Sequence, residues 1–297
     1  MDLTHQPPVL DRWAVGEPLG RGGMGTVYLA TDRASGERCA VKFIHFLDDA
    51  PSASPGEETH VLRELRTAAV LEHEHVVRTL ASGYADGQYF LVMEPCEAGN
   101  LHQLVERQGP LAPEVAVPLF LDVLDGLHYA HTAPLGAWDD QGRQIQVNGV
   151  VHRDIKPRNL LLTGENAVPQ VKIADFGLAK SYELAGASGV THTGATGGTP
   201  TFTPRQQVAN FKYARPDVDV WAAAASLYFA LSGHAPRDFA PDRDPWLTVW
   251  NTAPVPLAER VRGIPPRLAR VVDNALVDDP RIHFPTAAAF KTALEAV

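Results

Sequence analysis

The most informative stretch of this chain is His-Arg-Asp-Ile-Lys-Pro-Arg-Asn at residues 152–159, and Asp-Phe-Gly follows at residues 175–177. Among their polar residues are Asp154, Lys156, Asn159 and Asp175. Carboxylate and amide oxygens are donors that suit Mg²⁺. Each residue alone has an ordinary alternative, since Asp154 also fits a turn. Their meaning therefore depends on what else the chain contains, and in which order.

A glycine-rich loop lies near the N-terminus, where Gly20, Gly22 and Gly25 have Gly-x-Gly-x-x-Gly spacing. In a dinucleotide-binding fold this spacing opens a helix. Here an alternating run at residues 26–31 and a Ser-Gly turn follow, which predicts a β-hairpin. Glycine lets backbone N–H groups approach phosphate oxygens. Taken alone, the pattern fits both a phosphate-covering loop and an ordinary glycine-rich turn.

The chain divides into a strand-rich first part and a helical second part. Strand patterns dominate up to residue 93, including runs at 76–80 and 89–93, with one amphipathic helical pattern at 61–71. A short connector at 94–99 follows. Helical patterns then recur at residues 101–106, 113–131, 218–231, 266–276 and 286–296. This order predicts an α+β fold with two lobes, a small antiparallel β lobe with one key helix and a larger, mostly α-helical lobe.

Composition limits the function classes. The 297 residues include 35 acidic and 26 basic residues, a net charge of -9, so the chain lacks the basic footprint of a nucleic-acid binder. The most apolar stretch, residues 218–231, is shorter than the ~20 residues that a membrane span needs. The N-terminus lacks a signal-peptide pattern. Two cysteines, Cys39 and Cys96, are too few for a disulfide scaffold, so we expect a cytoplasmic protein with no membrane or nucleic-acid partner.

Two further charged residues complete an ordered set of motifs. Lys42 ends Ala-Val-Lys on the third predicted strand, and Glu64 lies on the first predicted helix. The stretches at 152–159 and 175–177 then fall in the helical lobe. All of these in this order by accident is very improbable. From about Trp13 to the last helix, the chain resembles the catalytic domain of bacterial-type, eukaryotic-like Ser/Thr protein kinases.

The resemblance implies a role for each charged residue in phosphoryl transfer from ATP. Lys42 would contact the α- and β-phosphates, and an ion pair with Glu64 would hold it in place. Asp154 would accept the proton of the acceptor hydroxyl, and Lys156 would steady the transferring phosphate. The Mg²⁺ ligands would be Asn159 and Asp175.

The resemblance also implies a nucleotide site between the lobes. The glycines at 20, 22 and 25 would cover the phosphates. Met93 would form the back of the adenine pocket, and the hinge would offer the carbonyl of Glu94 and the backbone of Cys96. Asn100 fits a ribose contact or a solvated loop residue. The residues expected to enclose the adenine ring are Leu19, Val27, Ala40 and Leu161.

Residues 175–206 resemble an activation segment, since they are rich in Gly, Ser and Thr. Thr191 and Thr193 stand where related kinases carry autophosphorylation sites, and Arg153 would pair with the added phosphate. The alternative is that both are solvated loop hydroxyls. Thr199, in a Gly-Thr-Pro, favours Ser or Thr over Tyr as acceptor. Transphosphorylation would involve self-association.

The end of this segment departs from the family pattern. The usual Ala-Pro-Glu reads Pro-Arg-Gln at residues 204–206, and His283 replaces the Arg that normally pairs with that Glu. Because both halves of a buried ion pair have changed, we hypothesise a hydrogen bond between Gln206 and His283. Asp219, at the start of a predicted helix, keeps its family place and would brace the catalytic loop through backbone hydrogen bonds.

Two substitutions bear on acceptor choice. Kinases that prefer basic peptides carry Glu at the positions of Asn100 and Arg158, so we expect no preference for basic residues just before the acceptor. The longer segment at 133–149 predicts a small hairpin, which fits a partner-docking element or an idle insertion. His128 and His131, three apart on a helix, are interpreted as structural rather than metal-binding.

We therefore expect one protein kinase domain over residues 1–297, with an N-lobe at 13–93, a hinge at 94–99 and a C-lobe at 100–297. Its substrates would be ATP and protein Ser/Thr hydroxyls, and its cofactor Mg²⁺. Two alternatives remain open, a pseudokinase scaffold and a small-molecule phosphotransferase of related fold. ATP turnover separates the kinase from the first, and the identity of the acceptor separates it from the second.

Overall fold

The computed structural model describes residues 9–22, 25–44, 69–138, 144–164, 169–176, 200–211 and 214–297. Its strands are β1 Trp13–Gly22, β2 Gly25–Asp32, β3 Arg38–Ile44, β4 Thr79–Ala85, β5 Gln88–Met93, β6 Pro134–Trp138, β7 Gln144–Asn148, β8 Leu160–Thr163 and β9 Gln170–Ile173. Its helices are α1 Leu101–Gln108, α2 Pro113–Thr132, α3 Arg205–Ala209, α4 Pro216–Ser232, α5 Pro245–Asn251, α6 Leu257–Arg260, α7 Pro266–Ala275 and α8 Ala287–Glu295, with a 3₁₀ turn at Pro157–Asn159. The predicted α+β class, with an antiparallel sheet before a helical part, is confirmed.

The N-terminal sheet is antiparallel, with strand order β1-β2-β3-β5-β4. The strand predicted at residues 76–80 is misplaced, because β4 begins at Thr79 and continues to Ala85. Asp86 and Gly87, with φ of 47° and 81°, form the tight turn between β4 and β5. The β4 sequence Thr-Leu-Ala-Ser-Gly-Tyr-Ala lacks clear alternation beyond Leu80, so its second half gave no strand pattern.

The helical part is built around α4, which is buried on all sides. Pro216 occupies the first turn of this helix, Asp217 and Asp219 complement the positive end of its dipole, and Gly233 ends it in the left-handed region. Helices α2 and α8 pack against α4 and against each other. A helix that is apolar all round belongs in a core, as expected for residues 218–231.

Two hairpins belong to the helical part. In the β8–β9 pair, Leu160 lies opposite Ile173, and the N–H of Ala174 donates to the carbonyl of Asn159 at 2.9 Å. This pairing brings the end of the 152–159 stretch next to Asp175. The β6–β7 hairpin matches the hairpin expected in the 133–149 segment.

The helix predicted at residues 61–71 lies outside the described residues except at its end. Within the described ranges, no helix is both long and apolar enough to cross a membrane.

Candidate active site

Residues 152–159 form the loop that the family resemblance identifies as the catalytic loop, and its polar side chains converge on the carboxylate of Asp154. The Nζ of Lys156 donates to both carboxylate oxygens, at 2.9 and 2.7 Å. The Nδ2 of Asn159 donates to the same carboxylate at 3.1 Å and to the Asp154 carbonyl at 2.8 Å. The 3₁₀ turn that starts at Pro157 carries Asn159 back over the loop. The carboxylate is partly exposed and oriented by two donors, which suits a group that must receive a proton.

The backbone of the catalytic loop is held in place by hydrogen bonds to Asp219. Its fully buried carboxylate accepts hydrogen bonds from the backbone N–H groups of His152 and Arg153, both at 2.7 Å. His131 Nε2 lies 2.8 Å from the same carboxylate. Arg153 has a φ of 67°, a strained conformation that these bonds hold in place. The prediction that Asp219 contacts the loop backbone agrees with this geometry.

These contacts also keep Asp219 ionised. Burial by itself would raise the pKa of this carboxyl group, because it disfavours the charged form. The hydrogen bond and charge of His131, together with His152, outweigh burial, and the pKa of Asp219 is lowered. Asp219 therefore acts as a buried anion that accepts three hydrogen bonds.

A second ion pair joins the sheet to the helical part. The Nζ of Lys42, on β3, lies 2.6 Å from a carboxylate oxygen of Asp175, which follows β9. Both side chains are largely buried, so the pair is shielded from solvent. Burial would raise the pKa of Asp175, but the Lys42 ammonium outweighs it and holds that pKa below its usual value. Glu64, the expected partner of Lys42, lies outside the described residues.

The oxygen donors near this ion pair fit a magnesium ion bound together with a nucleotide. Asp175 is ionised at neutral pH because its pKa is lowered. Asn159 uses its amide nitrogen for both hydrogen bonds to Asp154, so its carbonyl oxygen is the remaining ligand. Among the described residues, no group of three His, Cys, Asp or Glu side chains could hold a metal alone. Mg²⁺ commonly binds through one or two protein oxygens plus substrate phosphates, and this donor set matches that habit.

The three glycines of the N-terminal loop have different structural needs. Gly25 has a φ of 145°, and a Cβ there would lie 2.1 Å from the carbonyl oxygen of Phe43. A Cβ on Gly20 or Gly22 would meet nothing within 4 Å. Of these three glycines, packing against described residues requires glycine only at position 25. Close approach of a ligand is a reason for glycine at the other two positions.

The expected adenine-pocket residues meet where the sheet faces the helical part. Ala40 pairs with Met93 across β3 and β5, and Val27 pairs with Lys42 across β2 and β3. Cys96 and Leu161 pack against the cluster that contains Met93. Leu19 is half-exposed and precedes Gly20, which pairs with Val27.

The connector between the two parts is fixed by Glu94. Its carboxylate accepts hydrogen bonds from the N–H of Arg78 and from the Nζ of Lys172, both at 2.8 Å. Within the described residues, no hydrogen bond uses the carbonyl of Glu94 or the N–H of Cys96. These two of the three hinge groups expected to bind adenine are therefore not occupied by a described residue.

We expect the Cys96 thiol to be unreactive. Burial, with a smaller contribution from Glu94, raises the pKa of Cys96 to about 11. At pH 7.5 the thiolate fraction is then about 3 × 10⁻⁴, against about one tenth for a thiol with an ordinary pKa. Alkylation by iodoacetamide, followed by mass spectrometry, should be roughly 100-fold slower than for a free cysteine peptide. Equal rates would contradict the assigned environment.

Asn100 has a structural role that neither sequence interpretation included. Its Oδ1 accepts from the N–H of Gln103 at 3.0 Å, and the Gln103 side chain accepts from the N–H of Asn100 at 3.1 Å. This capping box fixes the start of α1. Arg158 is exposed, and its Nη2 lies 2.9 Å from Nε2 of His102, in the first turn of the same helix.

The expected hydrogen bond between Gln206 and His283 is wrong. The Nε2 of Gln206 donates to the carbonyl of Asp278 at 2.5 Å, and its Oε1 has no partner among the described residues. His283 is exposed, and its ring contacts Phe284 edge-on at 4.7 Å. The reason is that the ion pair here is made by Arg205, one residue before Gln206, with Asp278.

Some contacts at this site could not be read from sequence. The Nε2 of Gln207, a buried residue, donates to the carbonyl of Arg153 at 2.6 Å. No local pattern marks a glutamine for this long-range contact. His131 was interpreted as structural, and its pairing with Asp219 agrees. The guanidinium of Arg153 lies over the ring of Phe211.

The predicted residues that lie outside the described ranges are Glu64, Thr191, Thr193 and Thr199.

The chain is similar in sequence to known proteins over nearly all of its length. The family model described as "Protein kinase domain" matches residues 13–244. PknB, a serine/threonine-protein kinase of Mycobacterium leprae, is 31% identical over an alignment of 299 residues. The alignment covers 98% of this chain and 44% of PknB. PknL of Mycobacterium tuberculosis is 32% identical over 292 residues, covering 96% of this chain and 65% of PknL. The chain thus spans less than half of the length of the PknB relative.

Solved structures show the same fold. The crystal structure of Rad53 residues 1–466 in complex with AMP-PNP matches with a TM-score of 0.68 and 25% identity, over 96% of this chain and 66% of that one. The crystal structure of a mutant PknI kinase domain from Mycobacterium tuberculosis matches with a TM-score of 0.67 and 22% identity, over 96% and 95%. A family model that covers most of the chain, and relatives matched over nearly all of it, establish that this chain belongs to the protein kinase family, among relatives that are bacterial Ser/Thr kinases.

Proposed function

We propose that this chain is an ATP-dependent Ser/Thr protein kinase, which transfers the γ-phosphoryl group to Ser or Thr hydroxyls of proteins, including its own. The observation that carries the proposal is the Asp154 carboxylate, oriented by Lys156 and Asn159 on a strained and braced loop. Phosphoryl transfer depends on positioning and charge neutralisation more than on covalent help from the protein.

In the proposed reaction, Asp154 receives the proton of the acceptor hydroxyl as its oxygen bonds to the γ-phosphorus and the bond to the β-phosphate oxygen breaks. Lys156 adds positive charge beside the developing negative charge on the transferred group. Its side chain is partly exposed, so it can turn from Asp154 towards a phosphate. Asn159 keeps Asp154 oriented during this exchange.

ATP would lie between the sheet and the helical part. Lys42 would contact the α- and β-phosphates, and the N-terminal glycines would allow backbone N–H groups to approach them. Mg²⁺, held by Asp175 and Asn159, would neutralise phosphate charge. The similar Rad53 structure is a complex with AMP-PNP, which supports the proposal that this chain binds a nucleotide.

We also propose one kinase domain over residues 1–297, with its N-lobe at 13–93, hinge at 94–99, C-lobe at 100–297 and activation segment at 175–206. Phosphorylation of Thr191 or Thr193, with Arg153 as the phosphate partner, remains a prediction. So do self-association during this step and the cytoplasmic location.

The proposal is tested by measuring nucleotide binding and phosphoryl transfer separately. ATP affinity is measured with and without Mg²⁺, and transfer from labelled ATP is followed to dephosphorylated casein, with identification of the phosphorylated amino acid. We expect Mg²⁺-dependent label on Ser or Thr. Nucleotide binding without any transfer favours a scaffold, and label on a small molecule but not on casein favours the related phosphotransferase. Label on Tyr alone contradicts the acceptor assignment.

Arg158 should disfavour acceptors with basic residues just before the phosphorylated hydroxyl. Its exposed guanidinium lies in the catalytic loop. Repulsion between like charges at the surface should lower kcat/KM for a basic acceptor about fivefold. Arg158→Glu should therefore raise kcat/KM for an Arg-containing peptide, relative to its Glu-containing twin, by at least about fivefold. Arg262→Glu, an exposed arginine elsewhere in the helical part, changes the net charge equally and is the control. A wild-type preference for the Arg peptide would overturn the prediction.

A further inference from the structure

Arg237 is a buried cation that no part of the proposed reaction uses. Its side chain is 1% exposed and its guanidinium lies 4.9 Å from the ring centre of the fully buried Trp221. Its Nε donates to the carbonyl of Thr252 at 3.0 Å. Its Nη2 lies 2.5 Å from a carboxylate oxygen of Asp278, which is equally buried. Nη1 of Arg237 has no hydrogen-bond partner among the described residues. Desolvation of a buried cation is unfavourable, so Arg237 depends on Asp278 as its counterion.

Arg205 reaches the same carboxylate from the other side. Its Nη1 lies 3.3 Å from one oxygen of Asp278, and its backbone N–H donates to the other oxygen at 3.0 Å. The rest of its guanidinium donates to backbone carbonyls at the C-terminal end of α5. These carbonyls belong to Val249, Trp250 and Thr252. Asp278 therefore joins the start of α3, the end of α5 and the segment after α7.

The two residues after Arg205 extend this connection to the catalytic loop. Gln206 donates to the carbonyl of Asp278, and Gln207 donates to the carbonyl of Arg153. Arg153 directly precedes Asp154. Three consecutive side chains thus tie residues 205–207 to the core on one side and to the catalytic loop on the other.

We propose that Arg205, Asp278 and Arg237 form the anchor of the activation segment in this protein. We also propose that this anchor positions residues 205–207, next to the catalytic loop, for binding of the protein acceptor beside Asp154. This anchor takes the place of the glutamate–arginine pair that the family pattern predicts. The proposal rests on the proposed kinase function for its effect on acceptors. The anchor itself does not depend on it.

The charges make Asp278 the critical member. One buried carboxylate faces two guanidinium groups, so its neutralisation leaves Arg237 charged and desolvated without a counterion. The neighbouring Asp279 lies 3.6 Å from Arg205 but is 75% exposed, and exposed ion pairs contribute little. Asp279→Asn is therefore a matched control for Asp278→Asn, with the same chemical change one residue away.

The first experiment measures amide hydrogen exchange of residues 200–211 by mass spectrometry in the wild type and in both variants. We expect exchange in Asp278→Asn to be about tenfold faster or more, because the anchored segment opens more often. Asp279→Asn should match the wild type. Arg205→Met leaves the Arg237–Asp278 pair intact and is the second variant if Asp278→Asn does not fold. It should also accelerate exchange in this segment. Unchanged exchange in every folded variant at position 205 or 278 overturns the anchor.

The second experiment measures KM for dephosphorylated casein and KM for ATP in the same proteins. A positioning role predicts that the anchor variants raise KM for casein about tenfold and change KM for ATP less than about twofold. Equal changes in both constants, or none, overturn the positioning role. If the wild type transfers no phosphate, the proposed function fails, and the exchange experiment still decides whether the anchor exists.

Discussion

Asp154→Asn should lower kcat for phosphoryl transfer about 10²- to 10⁴-fold, while the affinity for ATP changes less than about twofold. The substitution keeps the shape of the side chain but removes the charge that accepts the proton. Lys156 and Asn159 bind the Asp154 carboxylate within 3.1 Å, and neither contact is part of the proposed adenine pocket. The constants are obtained from steady-state transfer to casein and from nucleotide titration.

The control for this prediction is Asp242→Asn, which changes an exposed carboxylate far along the chain from the catalytic loop. Its kcat should equal that of the wild type. Turnover by Asp154→Asn near the wild-type value would refute the role of Asp154 as the proton acceptor. A large loss of ATP affinity would instead show that Asp154 contributes to nucleotide binding.

Asp219→Asn should destabilise the fold by about 3 kcal/mol, because it removes the charge of a fully buried acceptor with three hydrogen-bond partners. The amide of asparagine offers one oxygen where the carboxylate offers two. At least one buried donor of His131, His152 or Arg153 then loses its partner. Release of the strained Arg153 backbone should also lower kcat. The free energy of unfolding is measured by urea denaturation.

Asp217→Asn is the matched control, because Asp217 lies in the same first turn of α4 and is less buried. It should lose only the dipole contribution, below about 1 kcal/mol. Since the pKa of Asp219 is lowered in the folded state, its stabilisation is present above the unfolded pKa and is lost as the pH falls through the folded value. The difference between wild type and Asp219→Asn should therefore shrink in acid. Equal unfolding free energies for the two variants at pH 7 would contradict the bracing role.

Local pattern was enough to predict much of the fold. The apolar periodicity at residues 113–131 predicted α2 to within one residue, and the mostly apolar run at 218–231 predicted the buried helix α4. Beyond Leu80, β4 was missed because Ala, Ser and Gly carry little alternation. The roles of Asp154 and Lys42 followed from family motifs and stay predictions. In the structure, Asp154 pairs with Lys156 and Lys42 pairs with Asp175.

Contacts between residues that are far apart in the chain could not be predicted from the sequence. Gln206 was paired with His283 because a family pattern links those positions, yet the ion pair had moved to Arg205 and Asp278. Charges at neighbouring positions can satisfy the same structural need, and no local pattern tells which position is used. The capping role of Asn100 was missed for a different reason, since Gln103 three residues later was a visible signal that the family comparison did not use.

The decisive measurement is mass-spectrometric mapping of phosphorylated residues after incubation of the wild type and Asp154→Asn with ATP and Mg²⁺. An active Ser/Thr kinase predicts phosphate on Thr191 or Thr193 in the wild type and none in the variant. Phosphate at the same sites in Asp154→Asn, or bound ATP with no phosphorylated residue in the wild type, would contradict the proposed function.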